Sequence, residues 1–84
     1  MIKLIYFAWV RERIGKPEET VEVPAGVTTV NDLIDWLRTR GEEYEYAFEN
    51  GALIRMAIDK VHTKHDMPLG NAREVAFFPP MTGG

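Results

Sequence analysis

The stretch TVNDLIDWL, residues 29–37, decides the fold because it contains the clearest helix signal in the chain. Thr29 is a favoured N-cap residue, and Asp32 three residues later completes an acidic variant of the capping box. Four apolar residues recur at helical spacing and form one stripe: Val30, Leu33, Ile34 and Leu37. The stretch therefore predicts an amphipathic helix that buries one face.

Two segments with strand character precede this helix. Residues 2–10 alternate and are rich in β-forming residues, and residues 19–23 alternate again. Residues 11–14 between them have the character of a single helical turn, which Gly15 and Pro17 would end. Residues 2–23 are therefore predicted to form a hairpin with a wide connection.

The segments after the helix complete the predicted sheet. Residues 53–58 and 74–78 have strand patterns, and residues 61–63 fit a short edge strand. Residues 42–51 are acidic and aromatic, and we expect a short irregular or helical piece there. The order β-β-α-β-(β)-β predicts an α+β protein of the β-grasp type, with a mixed sheet of four to five strands and one main helix packed on one face.

Length, charge and composition exclude several classes of function. The chain has 84 residues, a net charge of −3 and no cysteine. Its basic residues are scattered among acidic ones, whereas a nucleic-acid binder concentrates Lys and Arg on one face. No apolar run approaches the roughly 20 residues of a membrane span, and the first residues lack the layout of a signal peptide. We therefore expect a single cytoplasmic domain that binds neither nucleic acid nor membrane.

The sequence offers no conventional active site. It contains neither cysteine nor serine, so the usual nucleophiles are missing. His62 and His65 are close in sequence, but Asp66 is the nearest candidate for a third metal ligand, so we interpret both histidines as surface residues and expect no metal. The acidic run at 42–45 is interpreted as a solvated face.

The ending PPMTGG, residues 79–84, is the most distinctive feature. We expect residues 1–78 to form the domain and residues 79–84 a flexible tail. Pro79 and Pro80 must end the last strand and favour an extended path, so six residues at about 3.3 Å each reach roughly 20 Å from the fold. Gly83 and Gly84 have no side chains, so they fit a narrow channel and leave the terminal carbonyl open to attack. These features indicate that the carboxylate of Gly84 carries the chemistry.

A second signal is an apolar surface beside the tail. On a strand covering residues 2–10, Ile5, Phe7 and Trp9 point away from the core, and Phe78 of the last strand points to the same side. An exposed apolar patch of this kind is typical of a partner interface. The alternative is that residues 42–51 or a loop cover it. Arg11 beside the patch is a candidate for an ion pair with a partner at its rim.

The two ends of the chain resemble a known family. The opening IKLIYFAWVRE, residues 2–12, and the ending EVAFFPPMTGG, residues 74–84, are similar to the small subunit of molybdopterin synthase, the MoaD family. Length and element order match over the whole chain, and the ending is the specific motif. The resemblance implies a ubiquitin-like β-grasp fold and a sulfur carrier without catalytic residues of its own. It also implies that an activating enzyme uses ATP to adenylate the terminal glycine, that a sulfur donor then forms a thiocarboxylate, and that no cofactor is bound permanently.

The resemblance also implies a role for individual residues. Gly84 would be the modified residue, and the large catalytic subunit would receive the tail in an assembly of two small and two large subunits. The inserted tail residues would be Pro79, Pro80, Met81, Thr82 and Gly83. The candidate contacts with the large subunit would be Phe7, Arg11 and Phe78.

The sequence departs from the family pattern at two places and leaves other functions open. Met81 stands where a smaller branched residue is usual, and Ala72-Arg73 replaces an acidic turn. One rival function is a sulfur carrier for another thiolation pathway, such as those of thiamine or tRNA. Two others are a ubiquitin-like protein modifier and an interaction module with an inert tail.

Overall fold

The computed structural model describes residues 1–80, which form a five-stranded mixed sheet with helices packed on one face. Strand order is β2-β1-β5-β3-β4; β1 and β5 run parallel, and the other neighbours are antiparallel. The elements in chain order are β1 (Ile2–Tyr6), α1 (Ala8–Ile14), β2 (Glu18–Val21), α2 (Val30–Arg38), α3 (Glu42–Ala47), a 3-10 turn (Gly51–Leu53), β3 (Arg55–Ile58), β4 (Val61–Thr63) and β5 (Glu74–Phe78).

Helix α2 confirms the prediction made from residues 29–37. The Thr29 hydroxyl accepts the backbone N–H of Asp32 at 3.1 Å, and the Asp32 carboxylate accepts that of Thr29 at 3.2 Å. This reciprocal pair is the capping box, and it satisfies two backbone donors at the start of the helix. All four residues of the apolar stripe are buried. Within residues 1–80, no helix combines the length and apolar character needed to cross a membrane.

The predicted first strand, residues 2–10, is wrong beyond Tyr6. The chain turns at Ala8, whose φ of 52° is left-handed, and continues as α1. The predicted helical turn at 11–14 is therefore the second half of a longer helix. Val10 and Ile14 lie four residues apart and are both buried. Because this spacing places both side chains on one face of a helix, core packing overrides the alternating pattern that continues to Val10.

The remaining strands follow the predictions closely. β4 and β5 have the predicted bounds, and β4 is the edge strand that was expected. β2 begins one residue early and ends at Val21, and β3 starts at Arg55 because the residues before it form the 3-10 turn.

The core lies between the helices and one face of the sheet. β1 and β5 contribute Leu4, Tyr6, Val75 and Phe77 to it, and the Phe77 ring stacks on Tyr6 with 6.0 Å between centroids. The segment 42–51 belongs to this helical side, because Tyr44, Ala47 and Phe48 are buried in the same cluster. It therefore does not cover the opposite face of the sheet, which was one of the two alternatives for the apolar patch.

Candidate functional site

The tail leaves the fold where β1 and β5 end side by side. Tyr6 is paired with Phe77, and the backbone N–H of Phe7 donates to the Phe77 carbonyl at 3.0 Å. Because β1 and β5 are parallel, their carboxyl ends meet at one edge of the sheet, and Pro79-Pro80 begin there, both half-buried. The other predicted tail residues lie outside the described residues: Met81, Thr82, Gly83 and Gly84.

The face of the sheet opposite the helices is apolar near this edge. Ile5 is in register with Ala76, and Ala76 with Ala57, so β1, β5 and β3 present three neighbouring apolar residues on that face. Phe78 follows two residues after Ala76 and shares its side. We call Ile5, Ala57, Ala76, Phe78 and the adjoining Phe7 the docking face. Phe7 is 46% exposed, Ile5 and Phe78 are half-buried, and the two alanines between them are buried, so the three larger side chains are accessible to a partner.

Two of the predicted contact residues lie at the start of α1, and of these only Phe7 was predicted on a strand. Phe7 is the extended N-cap residue and is 46% exposed, although it is large and apolar. Arg11 is exposed one turn later, and its backbone N–H donates to the Phe7 carbonyl at 3.3 Å. Phe7, Arg11 and the half-buried Phe78 therefore gather at the edge where the tail begins.

Trp9 is not part of the docking face, and its predicted position was wrong. As a helical residue it lies on the side of α1 that meets α3. The guanidinium of Arg13 lies over the Trp9 ring at 4.4 Å from the centroid and over the Tyr46 ring at 4.2 Å. These cation–π contacts tie the two helices together.

The two histidines lie apart and have different surroundings. His65 Nε2 is 3.0 Å from the carbonyl oxygen of Gly51, which joins its loop to the 3-10 turn. His62 on β4 instead packs edge-on against Phe78, with 5.3 Å between the ring centroids. No group of three His, Asp or Glu in the part of the chain that the structure describes is arranged to hold a metal ion. The contact of His62 with the docking face was missed, because β4 reaches that face only through its pairing with β3.

A carboxyl with a lowered pKa lies on the helical side of the sheet, opposite the docking face. Three donors reach Glu19 of β2: Tyr44 Oη at 2.5 Å, Tyr6 Oη at 2.8 Å and Arg40 Nη1 at 3.0 Å. Burial alone would raise the pKa of the Glu19 carboxyl, but the hydrogen bonds from the tyrosines and the guanidinium hold that pKa below its ordinary value. Burial and the same carboxylate raise the pKa of Tyr6. Sequence reasoning missed this cluster; its only local signal is a Glu at an inward-facing strand position.

The Glu19 cluster predicts a specific acid sensitivity. Because the pKa is lower in the folded than in the unfolded chain, its stabilisation is complete above about pH 5 and is lost as the pH falls through the folded value. We expect Glu19→Gln to lower the free energy of unfolding at neutral pH by about 2 kcal/mol and to flatten its dependence on pH below about 5.

The neighbouring Glu18→Gln is the matched control, measured by urea unfolding over the same pH range. Glu18 pairs with Lys3 at 3.1 Å, but its side chain is 53% exposed, so we expect a change below about 0.5 kcal/mol. Equal acid sensitivity of the two variants would contradict the special role of Glu19.

Comparison with known proteins identifies the family. The ThiS family model matches residues 4–84. The chain belongs to the ThiS family. This ThiS-family chain is 39% identical to the molybdopterin synthase sulfur carrier subunit of Escherichia coli and 31% identical to that of Haemophilus influenzae, in each case over 100% of both chains. These matches confirm the resemblance found in the two ends of the sequence.

Solved structures confirm the ubiquitin-like β-grasp fold of this ThiS-family chain. SAMP1 from Haloferax volcanii aligns with a TM-score of 0.74 at 25% identity, covering 99% of this chain and 98% of that one. A putative molybdopterin converting factor, subunit 1, from Pyrococcus furiosus aligns with a TM-score of 0.72 at 29% identity, covering 95% and 97%. The mixed sheet with helices on one face is therefore the expected family architecture.

Proposed function

We propose that this chain is the sulfur carrier subunit of a molybdopterin synthase and that Gly84 carries the sulfur. The observation that carries the proposal is the 39% identity to a protein of that name over the full length of both chains. The position of the docking face supports it, because a partner bound there would lie beside the start of the tail at Pro79.

The proposed chemistry makes a poor electrophile reactive in two steps. A carboxylate resists attack, so an activating enzyme joins the Gly84 carboxylate to the α-phosphate of ATP and releases pyrophosphate. A donor that supplies sulfur at the oxidation level of sulfide then attacks the acyl carbon through that sulfur, and AMP leaves with the bonding electron pair. The product is a thiocarboxylate, whose sulfur is a soft nucleophile on an extended arm. ATP is therefore consumed by the activating enzyme and is not a bound cofactor of this chain.

The proposed partners divide the work between them. The large catalytic subunit would bind the docking face and receive residues 79–84, and the thiocarboxylate sulfur would attack the cyclic pterin precursor inside that subunit. Two sulfurs complete one dithiolene, so two charged carriers are needed for each product. An assembly of two small and two large subunits would supply one tail to each active site.

Reconstitution with purified partners tests this function. The chain is incubated with the activating enzyme, ATP and a sulfur donor, and then with the large subunit and the cyclic precursor. We expect dithiolene formation at two carriers per product. Sulfur transfer to thiamine precursors or tRNA without dithiolene formation would indicate another thiolation pathway. Conjugates linked to protein lysines would indicate a modifier, because an amine can also displace AMP from the acyl adenylate.

Phe7→Asp tests the docking face. A charge in the middle of an apolar contact loses its hydration, so we expect affinity for the large subunit to fall by about 30-fold or more, the loss typical of an interface hot spot. Folding should change by less than about 1 kcal/mol, because Phe7 is half-exposed and Asp is a favoured N-cap residue for α1. Calorimetric titration and thermal melting measure the two effects.

Val61→Asp is the matched control for Phe7→Asp. Val61 is apolar and 67% exposed, but it pairs with Ile58 and points to the helical side of the edge strand. We expect its affinity for the large subunit to remain within about threefold of the unmodified chain. Equal losses of affinity for the two variants would show that the docking face is misplaced.

A further inference from the structure

We propose that His62 is a specificity-determining residue of the docking face, and that it makes docking favour the neutral imidazole; this inference rests on the proposed function. The geometry extends the docking face by one strand. His62 lies opposite Ala57 in the β3–β4 pairing, so its side chain shares the face that Ala57 and Ala76 occupy. Its ring then reaches Phe78, which it contacts edge-on.

The imidazole is exposed and without a charged partner. His62 is exposed, and among residues 1–80 it forms neither an ion pair within 4.0 Å nor a side-chain hydrogen bond. On the face it lies opposite the methyl group of Ala57 and contacts the ring of Phe78. A partner that covers the docking face must therefore also cover this ring.

The charged groups around His62 are of both signs. β3 contributes one cation on the same face and one carboxylate at its turn, β5 contributes one carboxylate, and two lysines flank β4. These groups are Arg55, Asp59, Glu74, Lys60 and Lys64. The Asp59 carboxylate is already engaged, since it accepts two backbone N–H groups at 3.0 Å. Asp66 in the loop after β4 is a further carboxylate, and none of these groups forms an ion pair with the imidazole within 4.0 Å.

Covering a protonated His62 with a partner would remove its hydration without supplying an anion from this chain. Burial of an unpaired charge is costly, whereas a neutral imidazole packs against an aromatic ring at little cost. The matching partner surface is therefore uncharged and apolar at this point. A histidine normally changes charge between pH 5 and 8, so docking acquires a dependence on pH in that range that an aliphatic residue would not give.

The size of the effect follows from the neutral population. If only the neutral form docks, the apparent Kd rises in inverse proportion to the neutral fraction. We expect the Kd for the large subunit to rise severalfold between about pH 8 and about pH 5.5. Titration of the full-length chain with its large subunit by calorimetry at several pH values measures this rise.

Two substitutions separate His62 from every other titrating group in the complex. His62→Gln removes the imidazole and keeps a polar side chain, so the Kd of this variant, whatever its value at about pH 8, should lose the part of the pH dependence that comes from His62. His65→Gln is the control, because His65 contacts Gly51 and not the docking face, and it should retain the full rise. Melting curves at both pH values confirm that each variant is folded.

The outcomes distinguish this inference from the proposed function. Equal pH dependence in the unmodified chain and in His62→Gln would overturn the role of His62 and leave the carrier function intact. Tighter docking at low pH that is lost in His62→Gln would also overturn it, since the partner would then supply an anion. Absence of docking at about pH 8 would overturn the docking proposal together with this inference.

Discussion

Deleting Gly84 is expected to abolish sulfur transfer while leaving folding and docking nearly unchanged. The deletion removes the carboxylate on which the activating enzyme is proposed to act. It also moves the new terminus back by one residue, about 3.3 Å. The core is built from residues between Ile2 and Phe77, and the docking face ends at Phe78. We therefore expect no detectable thiocarboxylate or dithiolene, with a melting temperature and a Kd for the large subunit close to those of the full chain.

Gly84→Ala is the matched variant for this deletion. It keeps the length of the tail and the terminal carboxylate and adds one methyl group. The deletion therefore tests how far the carboxylate must reach, and Gly84→Ala tests whether the partners' channels admit a side chain at the last residue. We expect reduced but measurable thiocarboxylate formation. Full sulfur transfer by the chain that lacks Gly84 would contradict the assignment, and a large fall in melting temperature would show that the tail is part of the folded core.

Phe77→Ala is expected to cause the largest loss of stability in the chain. Phe77 is fully buried on a central strand, stacked on Tyr6 and edge-on to Phe48 at 5.2 Å between centroids. Truncating a buried aromatic side chain costs about 3–5 kcal/mol, and a domain of this size has only about 5–10 kcal/mol of total stability. We expect the variant to be partly unfolded at 37 °C in thermal and urea melts.

The adjacent Phe78→Ala provides the control with the same chemical change. Phe78 lies on the opposite side of the strand, half-buried against His62, so its loss should cost the fold about 1 kcal/mol or less. It should instead weaken docking by about tenfold or more, since an aromatic anchor is removed from the docking face. A fold destabilised equally by the two variants would contradict the division between core and docking face.

Most of the architecture could be predicted from sequence because local and long-range preferences agree. The capping box at Thr29, the apolar stripe of α2 and the strand at residues 74–78 each appear in the structure as predicted. The first strand is the exception. Residues 7–10 continue the alternation of β1, but burial of Val10 and Ile14 on the inner face of α1 decides their conformation, and that burial depends on partners distant in sequence.

The candidate site could be predicted only where the local sequence pattern indicates which residues are exposed. Phe7 and Phe78 are large apolar residues at outward positions, so their exposure was expected from the pattern. Ala57 belongs to the docking face, and His62 contacts it, because β3 lies between β5 and β4. Nothing in the sequence of β3 or β4 specifies this strand order. The Glu19 cluster likewise depends on Tyr44 and Arg40, which are brought to β2 by helices far along the chain.

Mass spectrometry of the C-terminal peptide tests the central claim most directly. The full-length chain is incubated with the activating enzyme, ATP and a sulfur donor, and the peptide that contains residues 79–84 is sequenced by fragmentation. The account predicts that one oxygen is replaced by sulfur, that the change lies on Gly84, and that it requires ATP. The account would be contradicted if Gly84 stayed unchanged although the same activating enzyme and sulfur donor form a thiocarboxylate on a known sulfur carrier. Sulfur at any other residue would also contradict it.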